Sequence, residues 1–542
     1  MRVFASVATG LAGAGLVSAV SRYAANQVPF FKIPEGVLAK LPDVDTEILS
    51  PAFLDPESVS EAFANSTDGP TTQFAMETFL QTLAARNEWM TYHVPDFKSE
   101  EGRSIPYVYL SSSQLPSAWP LATSANTTSK LRVWIQGGVH GNEPGGDQAV
   151  LAFLGKLDAE PEWALSLLEK VDFTIVPRYN PDGVAYFQRF LATSFDPNRD
   201  HIKLHSQQTR DIKKLNREFN AHVALDCHEY AAGVSSTIGP NGEYLSIPDN
   251  MFSHFKNPNV HKSIRQLGES LFVPTVHSAL ENNNLTAGPY VVVQDPKGMR
   301  LTDFVTDARG DVAVFLGQGI ALLSETRGIG IGSQNFKRRT AAGLVAVETV
   351  AQIAADNAEE IYEVVESARE DFITNDQEII VRDTPRWTNV TWKFFEAATG
   401  DVVEVPVLFG NNTPPASNLT RARPEAYVFS RAWAEVAELL RVSGIRVDEI
   451  PSAFTGEVEA YNVTGATVAA TKYEGTALTT ITTEIINKTI SFPPGAYWVS
   501  TRQQNAAQAF LRLEPEGPDS FATFNILPVS EGDEYQVYRV RA

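Results

Sequence analysis

The sequence predicts an α/β fold with a largely parallel sheet, followed by a smaller α+β or β-rich unit. Three observations carry this. Short apolar runs alternate with amphipathic helical stretches across the first two thirds of the chain. Polar residues cluster just past the ends of those apolar runs. Beyond Pro385 the pattern changes to Thr- and Val-rich segments separated by turn residues.

Apolar residues Phe74, Met76, Phe79, Leu80 and Leu83 recur at helical spacing and predict a helix over Thr72–Asn87. The runs Ile105–Leu110 and Leu131–Ile135 read as buried strands, as do Thr174–Val176 and His222–Leu225. Helices are expected between them, near Asp147–Leu157, Glu162–Lys170 and Gln207–Asn220. One long helix over Arg338–Ala368 closes this part, and acidic residues 370–378 with Pro385 mark its boundary. A helix at Arg431–Ser443 and strand-like segments within Thr464–Thr489 and Gly495–Thr501 follow. The expected organisation is therefore residues 1–20 as a signal peptide, 21–71 as an extended lead-in, 72–375 as a catalytic domain and 385–542 as an accessory domain.

The signal reading rests on Arg2 followed by the nearly uncharged run Val3–Val20, with small residues around Val17-Ser18-Ala19. No later segment approaches a membrane-spanning length. Eight Asn-x-Ser/Thr triplets, at Asn65, Asn126, Asn284, Asn389, Asn411, Asn418, Asn462 and Asn487, point to N-glycans on an exported, extracellular protein. Cys227 is the only cysteine, so no disulfide can form within the chain, and stability must come from a large buried core. The net charge of −21 repels phosphate backbones and anionic bilayers, which argues against nucleic acid or a membrane as partner.

The chemistry lies in the polar clusters. His140 and Glu143 stand three apart in Gly137-Gly138-Val139-His140-Gly141-Asn142-Glu143-Pro144, on a loop entering a helix. An imidazole and a carboxylate so placed can reach one zinc ion together, and a catalytic site needs a third protein ligand and an open position. Asp226-Cys227-His228 offers another imidazole at the end of an apolar strand. Glu325, in Ser324-Glu325-Thr326-Arg327-Gly328, offers a carboxylate able to accept a proton from water and pass it to a leaving amine. Asn198-Arg199 pairs an amide with a guanidinium, the group that holds a carboxylate through two parallel hydrogen bonds. Tyr179-Asn180-Pro181-Asp182-Gly183 is turn chemistry. Taken singly, each of these strings is commonplace.

In that order, however, His140-x-x-Glu143, Asn180-Pro-Asp-Gly183, Asn198-Arg199, His228 and Glu325 resemble the zinc metallocarboxypeptidase family of the pancreatic carboxypeptidase A type, over about Thr72–Ala368. The tail resembles the extensions of some microbial members. The resemblance implies a mixed, mostly parallel eight-stranded sheet flanked by helices. It also implies one Zn2+ per chain held by His140, Glu143 and His228, with Glu325 activating a water. Asn198 and Arg199 would hold the terminal carboxylate of a peptide or protein substrate, and Arg189 would steady the oxyanion of the tetrahedral intermediate. Tyr290 is the first candidate for the family's capping tyrosine, before Tyr230 and Tyr244.

Two departures stand out. Asn142 occupies the place of a common arginine, and Glu229 follows His228 where many members have a small residue. The short lead-in speaks against an inhibitory pro-domain. A second enzyme class, zinc deacylases related to aspartoacylase, shares the HxxE…H site and acts on small N-acyl amino acids. An inactive peptide- or glycan-binding relative is a third reading, disfavoured by the retention of all four metal-site and base residues.

Overall fold

A computed structural model describes residues 30–56, 64, 69–113, 130–232, 237–303, 307–310, 313, 316 and 317–541. The expected signal peptide and the sequons at Asn65 and Asn126 lie outside the described residues.

Eight strands form the central sheet: β1 (Met90–His93), β2 (Tyr107–Leu110), β3 (Leu131–Gly137), β4 (Val171–Val176), β5 (Val223–Ala231), β6 (Asn250–His254), β7 (Ala287–Gly288) and β8 (Ile320–Ile329). Their spatial order is β1-β2-β4-β3-β5-β8-β6-β7. The centre, β4-β3-β5-β8, is parallel, whereas β2 and β6 join it antiparallel and β1 pairs antiparallel with β2. This is the mixed, mostly parallel sheet the sequence implies. Every residue of β2, β3 and β4 is buried, as expected for strands covered on both faces.

The predicted helix at Thr72 runs over Gln73–Arg86, where the Thr72 side chain accepts the Ala75 N–H at 3.2 Å as an N-cap. Helices Pro144–Ala159 and Phe336–Asp356 pack against each other so closely that a Cβ on Gly343 would lie 2.7 Å from that of Ala149. The single helix expected over Arg338–Ala368 is two, Phe336–Asp356 and Ala358–Thr374. Asn357 breaks it with non-helical backbone, its side chain capping the Ile353 carbonyl at 2.9 Å.

Two further sheets follow. A five-stranded one orders Tyr244–Ser246, Ile379–Glu396, Val402–Arg421, Arg300–Asp303 and Val291–Asp295, so strands from both sides of Pro385 share it. The other has six strands, all from residues 426–540, and includes the long hairpin Phe454–Val468/Thr479–Phe492. One continuous apolar core joins both regions. Polar ties cross as well: Arg512 donates to the His201 carbonyl at 2.7 Å, and Gln504 to that of Gly317 at 2.6 Å.

Candidate metal centre and active site

The centre lies at the carboxyl ends of the parallel strands, where α/β sheets collect their ligands. After β3 the chain turns at Gly138, whose φ of 63° places it in the left-handed region. Gly141 then passes so close to the Asn180-Pro-Asp-Gly turn that a Cβ would sit 1.8 Å from the Gly183 carbonyl carbon. Only glycine fits there, and the contact aims the flanking His140 and Glu143. Glu143 precedes Pro144, the first residue of the helix.

His140 and His228 both turn Nδ1 toward the Glu143 carboxylate, at 2.7 and 2.9 Å to its two oxygens. Donor atoms of the three residues lie within 4.8 Å of one another, and all three are buried. The far nitrogens are also engaged. His140 Nε2 meets Asp196 at 3.1 Å, and His228 Nε2 meets Asp226 at 2.8 Å. Two imidazoles with carboxylates on Nε2 and lone pairs of Nδ1 converging beside a carboxylate form a donor set that suits zinc. Burial alone would push the Glu143 carboxyl up, but the charges and hydrogen bonds of His140 and His228 hold it well below the usual range.

Glu325 is on β8, directly across from His228 on β5 in the parallel register. Burial pushes its carboxyl up to about 8, against the pull of His228. Arg189 follows the short helix Pro181–Tyr186, which ends at Phe187 with φ 50°. Its Nε donates to Asp196 at 2.8 Å and its Nη1 to Glu143 at 3.2 Å. Asn198 and Arg199 lie on a turn opened by Asp196, whose carboxylate accepts the Asn198 N–H at 2.8 Å. Asn198 Nδ2 comes within 3.3 Å of His228 Nε2.

One cleft of about 510 Å3 is lined by His140, Glu143, Arg189, Asn198, Arg199, Tyr290 and Glu325, with His228 bonded just beneath at Glu143. The metal, base and substrate-clamp candidates of the sequence therefore meet at one place, with Tyr290 beside them. Tyr230 also lines the cleft, but its hydroxyl donates to the Pro248 carbonyl; Tyr244 stacks instead on Phe394. The departure at Glu229 is neutralised from behind by a two-point pair with Arg339, at 2.8 Å on each oxygen. Asp196 and Asp226, to which the sequence assigns no role, are the outer partners of the two imidazoles. Asp182, in the Asn-Pro-Asp-Gly turn, serves the scaffold, accepting from Ser99, the Glu101 N–H and Arg103.

The zinc carboxypeptidase profile matches residues 76–243. The chain is 44% identical to a protein named Carboxypeptidase 2 from Trichophyton tonsurans, over 96% of both chains. It belongs to the zinc carboxypeptidase family. A second relative, Carboxypeptidase 2 of Trichophyton rubrum, is 43% identical over 100% of this chain and 99% of that one. A solved metallo-carboxypeptidase from Burkholderia cenocepacia is 16% identical with a TM-score of 0.39, over 53% of this chain and 70% of that one. The chain is thus a metallocarboxypeptidase hydrolase, and neither the small-substrate deacylase reading nor the inactive-relative reading is favoured.

Proposed function

We propose that the chain is a secreted exopeptidase that removes single residues from free peptide and protein C-termini. His140, Glu143 and His228 hold its zinc. The observation that carries this is the placement of Asn198 and Arg199 in the same cleft as the metal triad and Glu325. A fork of donors and a buried carboxylate beside the triad, all in one cleft, suit a bond one residue from a chain end.

Bound zinc supplies Lewis-acid polarisation of the scissile carbonyl and acidifies a water. The protein does the rest. Arg199 and Asn198 fix the terminal carboxylate, so the last peptide bond lies over the triad. Glu325 takes a proton from the attacking water and returns it to the departing amine. Arg189, held by Asp196, donates to the oxygen that becomes negative. Tyr290 closes the cleft beside Val291.

Export rests on the Arg2–Val20 pattern and on the sequons. Asn284, Asn389, Asn418 and Asn487 are exposed, which suits glycan attachment. Among the described residues no helix is long and apolar enough to cross a membrane.

The test is mass spectrometry of a mixed peptide library, each peptide present as free acid and as C-terminal amide, with and without chelator. Chelator-sensitive loss of single residues from the free acids alone is expected. Equal trimming of the amides would overturn the role of Arg199, and absence of trimming with zinc present would overturn the peptide assignment.

A further inference from the structure

A tight turn of the C-terminal region packs against the segment that carries Asp196, Asn198 and Arg199. Tyr473 and Thr476 exchange backbone hydrogen bonds at 2.8 and 2.9 Å, closing a two-residue loop. Its central residues, Glu474 and Gly475, both have positive φ, at 45° and 80°. Such a turn favours Asn-Gly or Gly-Gly. A glutamate in the left-handed region is sterically disfavoured, and backbone geometry alone gives no reason for it.

The side chain does. Glu474 Oε2 accepts the Asp196 N–H at 3.0 Å, across 278 residues of sequence. The Glu474 carbonyl accepts from Lys203 Nζ at 2.6 Å. Gly475 lies against Phe195, where a Cβ would stand 3.2 Å from the ring, and Lys203 Nζ sits 4.7 Å above the same ring. The turn thus holds the Asp196 N–H and packs against the ring of the preceding Phe195. That aspartate faces two cleft residues, His140 at 3.1 Å and Arg189 at 2.8 Å.

A second clasp lies alongside. Arg309 stacks over Tyr473 at 5.1 Å and pairs with Asp519 at 2.6 Å. Asp519 also accepts the Ala308 N–H. Two residues beyond Ala308, Gly310 stands against the Asn198 side chain.

We infer that Glu474 is a positioning residue of the metal site, supplied by the C-terminal region, which keeps the Asp196 carboxylate aimed at His140 Nε2. The inference rests on the assignment of His140 as a zinc ligand, and it gives the tail a task in the enzyme itself. Outer partners of a ligating imidazole typically tune metal affinity by tenfold or more.

Two variants of the full chain separate positioning from turn stability. Glu474→Asn improves the fit to positive φ but is one methylene too short to reach the Asp196 N–H. Glu474→Gln keeps an acceptor at the same reach. Zinc affinity is read by competition with a chromogenic chelator, beside thermal unfolding of the zinc-free protein. Expected for Glu474→Asn is about tenfold weaker zinc binding with the zinc-free melting temperature unchanged or raised. Glu474→Gln should stay near wild type in both. Wild-type zinc affinity in the Asn variant, or equal losses in the two variants, would overturn the proposal. Zinc affinity is read without turnover, so failure of peptide trimming would strike the proposed function and leave this result standing.

Discussion

Asp226 and His228 stand two residues apart on one strand, and the Asp226 carboxylate meets His228 Nε2 at 2.8 Å. Side chains at i and i+2 share a face of a strand, so the pairing follows from the pleat. With Nε2 donating to the carboxylate, the Nδ1 lone pair is left to point at Glu143. Gln136 supports the aspartate from the neighbouring strand, donating at 3.0 Å. Asp226→Asn should therefore weaken zinc binding about 10- to 100-fold, measured by chelator competition. An unchanged dissociation constant would remove Asp226 from the site.

Replacing Glu325 by Gln keeps the shape and removes the proton acceptor. Turnover should fall by about 10²- to 10⁴-fold, while elemental analysis still finds one zinc per chain. Retained turnover would sink the proton-transfer role.

Arg199→Ala removes the charged fork. Its expected effect is a KM for free-acid peptides raised roughly 10- to 100-fold, the equivalent of about 1.5–3 kcal/mol. Initial rates against peptide concentration check this, and a KM equal to wild type would place the carboxylate elsewhere.

Stability should fall in acid through His222. Its Nδ1 accepts the Arg132 N–H at 2.9 Å, so the proton of the neutral ring is on Nε2, toward Glu366 at 3.0 Å. Burial lowers its pKa to about 3, against the hydrogen bond it donates to Glu366. The unfolded chain, with an ordinary histidine near 6.5, binds the proton first. The stabilising term is thus complete above about pH 6.5 and is lost as pH falls toward 3. Urea midpoints of wild type and His222→Gln should converge between pH 7 and 4; a constant gap would refute the assignment.

Gly141→Ala forces a methyl group to within 1.8 Å of the Gly183 carbonyl carbon. Both partners are backbone, so neither can swing aside. A loss of about 3 kcal/mol is expected, accompanied by weaker zinc binding because His140 and Glu143 flank the displaced turn. Wild-type urea midpoint and zinc affinity together would show that the turn yields.

Much of this was legible in the sequence because apolar runs and ligand spacing are local. Leu131–Ile135 and His222–Leu225 announce two central strands, and the order of the polar strings announces the site. The strand β5 was read too short: it continues through His228 to Ala231, since polar residues facing a metal site break the apolar pattern without ending the strand. Strand β6, Asn-Met-Phe-Ser-His, escaped notice because it is buried throughout and shows no alternation. Asp196 and Asp226 lay in plain view, but nothing local says which imidazole each one meets. Glu474 carries no sequence signal at all, because its partner is fixed only by how the two regions pack.

The lateral pairing of His228 with Glu325 has an evolutionary corollary. Their spacing is set by main-chain hydrogen bonds between two interior strands, and altering those would unzip the sheet. Other side chains that line the cleft, such as Tyr290 and Val291, come from connecting segments and short strands. Descendants of this chain can therefore exchange one preferred terminal residue for another by redrafting those segments, while the hydrolytic apparatus is inherited intact.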